Sequence, residues 1–193
     1  MSIGTQLRLG RADHGQVVSA DDFANAEFDD GYKYEREDGR LVVMFPDGYG
    51  HQSTAEPWRD ALVYHKRDHP GVIRNVFTGP WVRPDPDKDR IGDVGVYLHA
   101  SPLPAEGQPI PDLMFEIVSR GKKNRERDYV TKRAEYQAIG VKEYVIVDRF
   151  DRKVTVLTLG PGGYFERVLT EVDTYTSPLL PGLAIPIGDA FGG

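Results

Sequence analysis

Between Gly71 and Asp148 the chain alternates in an order that few architectures can hold. Three β-rich runs, VIRNVFTGPWV, DRIGDVGVYL and DLMFEIVS, are separated by Pro, Asp and Gly clusters, and one helical stretch and a further apolar run, EYVIVD, follow them. The helical stretch spans Arg125 to Ile139, with Tyr129, Val130, Ala134, Tyr136 and Ala138 at helical intervals and Gly140 placed to stop it. EYVIVD and KVTVLTL then flank the turn residues Arg149 to Arg152, and the run Gly160 to Gly163 leads into YFERVL, which predicts an antiparallel meander. Strands and helices in this order build an α/β fold around one mixed sheet.

Upstream, Ser19 begins a Ser-x-x-Asp capping pattern for a short surface helix. The cluster Glu37, Asp38 and Gly39 predicts an N-terminal hairpin of Tyr32 to Arg36 and Arg40 to Phe45, with Glu35 on its first strand. After the loop PDGYG, Ser53 and Glu56 are spaced as a capping box, and Trp58, Ala61, Leu62 and His65 continue at helical intervals to Pro70. The tail PGLAIPIGDAF reads as a closing strand and a helical turn. A chain of 193 residues is the size of one domain. Residues 1–18 read as an N-terminal extension and 19–193 as the single domain.

Composition removes whole classes. With 39% apolar residues the chain can bury a core, and the longest clear apolar run, LVVMF, suits a strand and not a bilayer span. The opening MSIGTQLRLGRADHG lacks the apolar stretch of a signal peptide, so a cytoplasmic location is expected. No cysteine is present, which excludes thiolate chemistry and leaves oxygen and imidazole as metal donors. The net charge of −6 argues against non-specific coating of nucleic acid. Yet Ser119 to Arg133 carries seven cations against two acids, so this stretch is +5 and the remainder −11.

Familiar motifs fall away on inspection. DPDKD, from Asp85, opens like a calcium loop, but Arg90 stands where the turn needs Gly and Val96 where a bidentate Glu belongs. His65 and His69 would share a helix face without the Glu of a zinc hydrolase, and a pair that satisfies the helix dipole is the simpler reading. Signatures of serine hydrolases, P-loop enzymes and dinucleotide folds are missing. What remains is Asp93 and Glu116, each inside a strand pattern with apolar flanks. Such carboxylates either pair with a cation in the fold or together hold a divalent metal such as Mg²⁺, which takes one or two carboxylates plus water and phosphate oxygens.

The ordered series Tyr34-Glu35, Asp38-Gly39, His51, Asp93, PDLMFEIVS at Pro111 to Ser119, D-x-x-x-K-x-x-x-Y from Asp128 to Tyr136, GVKEYVIVD at Gly140 to Asp148 and SPLLPGL at Ser177 to Leu183 resembles the Uma-two endonuclease family. The resemblance implies a restriction-endonuclease-like fold of the PD-(D/E)-x-K superfamily: a central mixed β-sheet flanked by helices. It also implies catalytic Asp93 and Glu116 as ligands of Mg²⁺, with Mn²⁺ as a substitute. Gly92 stands where a proline often precedes the Asp, and Val118 occupies the superfamily lysine's place. Lys132 matches the family pattern as the catalytic lysine; the alternative for it is a surface lysine pairing Asp128 at i, i+4. Glu35 would extend the metal's outer shell, Tyr136 would steady the site, and His51 would contact phosphate or cap its helix. Arg120, Lys122, Lys123 and Arg125 would bind the nucleic acid. The expected substrate is DNA, with no membrane partner and a homodimeric assembly. Two other readings stay open: a module with the nuclease fold but no turnover, binding nucleic acid or a protein, and a metal-free acid/base hydrolase using the two carboxylates.

Overall fold

The structure is a computed structural model that describes residues 6–191. Along the chain come β1 (Arg8–Leu9), α1 (Ala20–Asn25), β2 (Glu27–Phe28), β3 (Lys33–Glu37), β4 (Arg40–Met44) and α2 (Tyr49–Asp68). Next are β5 (Ile73–Thr78), β6 (Trp81–Asp85), β7 (Lys88–Ile91), β8 (Val94–Leu98) and β9 (Leu113–Ile117). A continuous helical segment follows, made of α3 (Lys122–Glu126), a π-helical turn (Arg127–Thr131) and α4 (Lys132–Ala138). The chain closes with β10 (Glu143–Asp148), β11 (Lys153–Gly160), β12 (Gly163–Thr170), β13 (Thr174–Tyr175) and β14 (Ile185–Pro186), which leads into a 3-10 turn.

The chain forms two compact units, one from the residues up to Asp47 with Trp81–Ile91, the other from Gly48–Pro80 with Gly92 onward. In the first, the order β4-β3-β7-β6 makes a four-stranded sheet. The expected hairpin, β3-β4, forms one side of it with β4 at the edge, turned by Asp38 at φ 49° and Gly39 at φ 71°, the left-handed pair that a two-residue hairpin loop requires. Leu9 and Val18, from the stretch read as an extension, are buried in this unit's core with Phe23, Tyr34 and Leu41. Fully buried Asp89 accepts from Arg36 Nε at 2.5 Å, from Arg83 Nε at 2.8 Å and from Trp81 Nε1 at 3.0 Å. DPDKD is thus a hairpin turn, with the Asp87 N–H bound to Asp85 Oδ1 at 2.9 Å.

In the second unit a six-stranded sheet runs β12-β11-β10-β9-β8-β5, with β9 and β10 parallel and the other neighbours antiparallel. A parallel pair needs a crossover, and the helical segment after β9 supplies it. The β10-β11-β12 meander matches the expectation. Strand alternation sends Leu113, Phe115 and Ile117 into the core that Trp58 and Leu62 of α2 fill. Met114, Glu116 and Val118 therefore take the opposite face, and all three are buried.

Four sequence readings shift at their boundaries. The runs VIRNVFTGPWV and DRIGDVGVYL each break in two, because Gly79 takes φ 68° before Pro80 and the chain bends again at Gly92. Gly79 N–H bonds the Asp93 carbonyl at 3.1 Å and Gly92 N–H the Pro80 carbonyl at 3.0 Å, and Asp93 immediately precedes β8. Helix α2 starts a turn earlier than its capping box suggested, with extended Gly48 as N-cap. The helix after β9 likewise begins at Lys122 and not at Arg125. The two imidazoles near the end of α2 stack at 4.2 Å, and burial, helped by His69, holds His65 below its usual pKa.

Candidate functional site

Asp93 and Glu116 come together by register. The antiparallel pairing Val94↔Phe115 and Gly95↔Met114 puts Asp93 opposite Glu116 at the next step. Asp93 Oδ2 accepts the N–H of Ile117 at 2.8 Å, which ties its carboxylate to the residue after Glu116. The backbone at Gly92 passes so close to β9 that a Cβ there would collide with Met114 Sδ and lie 3.4 Å from Glu116 Oε1. A proline ring there would have to displace the Met114 side chain and would lose the Gly92 N–H bond to the Pro80 carbonyl.

Lys132 is a buried group and not a surface lysine: its side chain is 3% exposed, its Nζ lies 2.7 Å from Glu116 Oε1, and Asp128 is the more distant partner at 3.9 Å. Tyr136, one turn on, donates its hydroxyl to the same oxygen at 2.7 Å. Residues four apart share a helix face, so one helix delivers an ammonium and a phenol to the acid of β9. Val118 lies two residues beyond Glu116 on the same strand face, and the cation that this strand lacks arrives from the crossover helix. The π-helical turn places one extra residue per turn just before Lys132, a device frequent at functional sites. Tyr144 on β10 donates to the Asp128 carbonyl at 3.0 Å and packs edge-on against Tyr136.

The electrostatics follow from burial. Desolvation pushes the Glu116 carboxyl up to about 8; Lys132 opposes the shift, and the charges of Asp93 and Asp128 add to it. Burial likewise lifts Asp128 to about 6, against the pull of Lys132 and Arg127. The sequence reading treated Asp128 only as a helix-surface partner of Lys132. Its D-x-x-x-K-x-x-x-Y position marked a shared helix face, and burial of that face is what makes it part of the cluster.

His51 lies in the first turn of α2, where Gly48 is the cap, and its Nε2 is 3.1 Å from Asp93 Oδ2. Glu35 belongs to the first unit, where it accepts the Ile91 N–H at 3.0 Å and faces Arg90 at 3.7 Å. Of the basic strip, Arg120, Lys122 and Lys123 are exposed. Arg125 is drawn back onto Asp148 at 2.7 Å and onto Asp151. Two carboxylates offer hard oxygen donors that suit a divalent cation, and a buried acid raised to about 8 gains most from a cation beside it. Among the described residues no helix is long and apolar enough to cross a membrane.

Residues 20–188 match the model of a family described as a putative restriction endonuclease. A crystal structure from Anabaena variabilis ATCC 29413, described as a putative nuclease, superposes with a TM-score of 0.67 at 16% identity, covering 90% of this chain and 97% of that one. At that identity the likeness is one of fold. No curated protein matches.

Proposed function

The chain belongs to the Uma2 family, described as putative restriction endonucleases, and from that premise we propose that it is a Mg²⁺-dependent endonuclease hydrolysing phosphodiester bonds of DNA in the cytoplasm. The observation that carries the reading is the convergence of Lys132 Nζ on Glu116 Oε1 at 2.7 Å, with Asp93 opposite Glu116 across β8 and β9. An acid pair with a buried lysine is the constellation that metal-assisted phosphodiester hydrolysis uses. Asp93 and Glu116 would hold the cation, with His51 against Asp93. A divalent ion bound there lowers the pKa of its water and polarises the phosphate. Lys132 orients the nucleophile and stabilises charge developing on the phosphate, and Tyr136 fixes the Glu116 carboxylate. Arg120, Lys122 and Lys123 draw the backbone in, and a homodimer would add a second such strip. Incubating the protein with plasmid and Mg²⁺ or Mn²⁺ tests this: cleavage is expected, and turnover that survives in Asp93→Asn protein, or in excess EDTA, rejects the site.

Metal binding should be linked to proton release. Burial pushes the Glu116 carboxyl up to about 8, so a proton competes there with the cation, which binds the carboxylate. Calorimetric Mg²⁺ titration should therefore show affinity rising about tenfold per pH unit from pH 6 toward about 8, then levelling. The heat should depend on the buffer's ionisation enthalpy. Affinity that is flat across this range contradicts Glu116 as ligand.

A further inference from the structure

Arg149 and Arg120 leave the ends of neighbouring parallel strands. Arg149 directly follows Asp148, the last residue of β10, and Arg120 comes shortly after the end of β9 at Ile117. Both loops thus emerge at the carboxyl edge of the parallel pair, the place where open α/β sheets bind ligands. Both guanidinium groups sit on one ring: Arg149 lies 4.6 Å and Arg120 5.7 Å from the centroid of Phe150, which is 40% exposed. Neither has an acidic partner among the described residues, and Arg149 Nε is buried without a hydrogen-bond acceptor. Arg125, by contrast, is held by Asp148 and Asp151. The Arg149 guanidinium also packs against Gly50 so closely that a Cβ there would collide with it, and the next residue is His51, which reaches Asp93.

We propose that Arg149 and Arg120, held on the Phe150 ring, form a phosphate clamp that grips the nucleic-acid backbone beside the Asp93 and Glu116 carboxylates. The proposal rests on the nuclease reading and assigns its substrate contact. An arginine stacked on an aromatic ring keeps its planar fork pre-organised, and its N–H donors match two phosphate oxygens. An ammonium in the same place would lack that geometry. Gly50 is the residue that leaves the Arg149 fork its position.

Fluorescence anisotropy of a labelled DNA duplex in EDTA, across a salt series, tests the clamp without turnover. Each of Arg149→Gln and Arg120→Gln should reduce the slope of log affinity against log salt by about one and weaken binding about tenfold at 0.1 M salt. Gly50→Ala retains all charges and favours the helix but displaces the end of Arg149, so it should weaken binding less than Arg149→Gln, with no further loss in the double variant. Lys66→Gln, ~24 Å away along α2, serves as the control. Arginine variants that bind with the control's affinity and slope overturn the clamp, and they leave the nuclease reading standing if wild-type protein cuts plasmid. Wild-type protein that binds no duplex overturns the clamp, and if it also leaves plasmid intact the nuclease reading falls with it. A Phe150→Leu variant that loses single-strand binding while both arginine variants retain it replaces the clamp with a base-stacking platform.

Discussion

Replacing Glu116 with Gln should reduce plasmid cleavage by about 10³-fold and lower the melting temperature. The loss follows from removing a ligand whose cation supplies several kcal/mol of transition-state stabilisation, at about 1.4 kcal/mol per decade. Glutamine has nearly the same shape, but it leaves the buried Lys132 ammonium without the acid that lies 2.7 Å from it, so stability falls as well. Tyr136 can still donate to the amide oxygen. Lys132→Gln should separate the roles, since Mg²⁺ binding should persist while kcat falls. Cleavage kinetics and calorimetry on the two proteins check both statements. A Glu116→Gln enzyme that cuts at the wild-type rate sinks the assignment, whereas a Lys132→Gln enzyme with full kcat reduces the lysine to a counter-ion.

Trp58→Ala should destabilise the protein by about 4 kcal/mol, lowering Tm by roughly 8–16 °C. Trp58 is fully buried, packs 5.7 Å from the Phe115 ring and 5.5 Å from that of Tyr175, and donates its indole N–H to the Ala190 carbonyl at 2.8 Å. Truncation opens a cavity between α2 and β9 and leaves that carbonyl without its donor. Because Phe115 neighbours Glu116 on the same strand, the variant should also lose activity near its lowered Tm and recover it on cooling. Thermal melts of Trp58→Ala and Trp58→Phe, the latter expected to lose less, measure the cavity and the hydrogen bond.

Local patterns announced the elements whose identity is set by neighbours in the chain. The Asp38-Gly39 turn, the β10-β11-β12 meander and the apolar alternation of β9 follow from left-handed turn residues and from a period of two. The Ser19 cap behaves likewise, accepting the Asp22 N–H at 3.0 Å. Where the reading slipped, the deciding contact was distant. VIRNVFTGPWV looks like one strand because Gly79 and Pro80 interrupt it for only two residues, yet its halves join different sheets. The start of α2 was hidden because its first turn carries two glycines, Gly48 as N-cap and Gly50, the latter shaped by Arg149 from elsewhere in the chain.

The same division runs through the candidate site. Residue type and order by themselves determined the mixed α/β class and singled out Asp93 and Glu116 among apolar neighbours, and the family resemblance pointed to the lysine and tyrosine spaced four apart; periodicity places side chains on faces without knowledge of what those faces meet. Only the tertiary structure decided that Lys132 is buried against Glu116, that Asp128 is buried beside it, that Arg125 turns to Asp148, and that Arg149 stands beside Phe150 without an acidic partner among the described residues. The reason is range. A helix face or strand pleat is specified within a few residues, whereas burial, charge pairing and the resulting protonation states depend on groups brought together across the sheet by the fold.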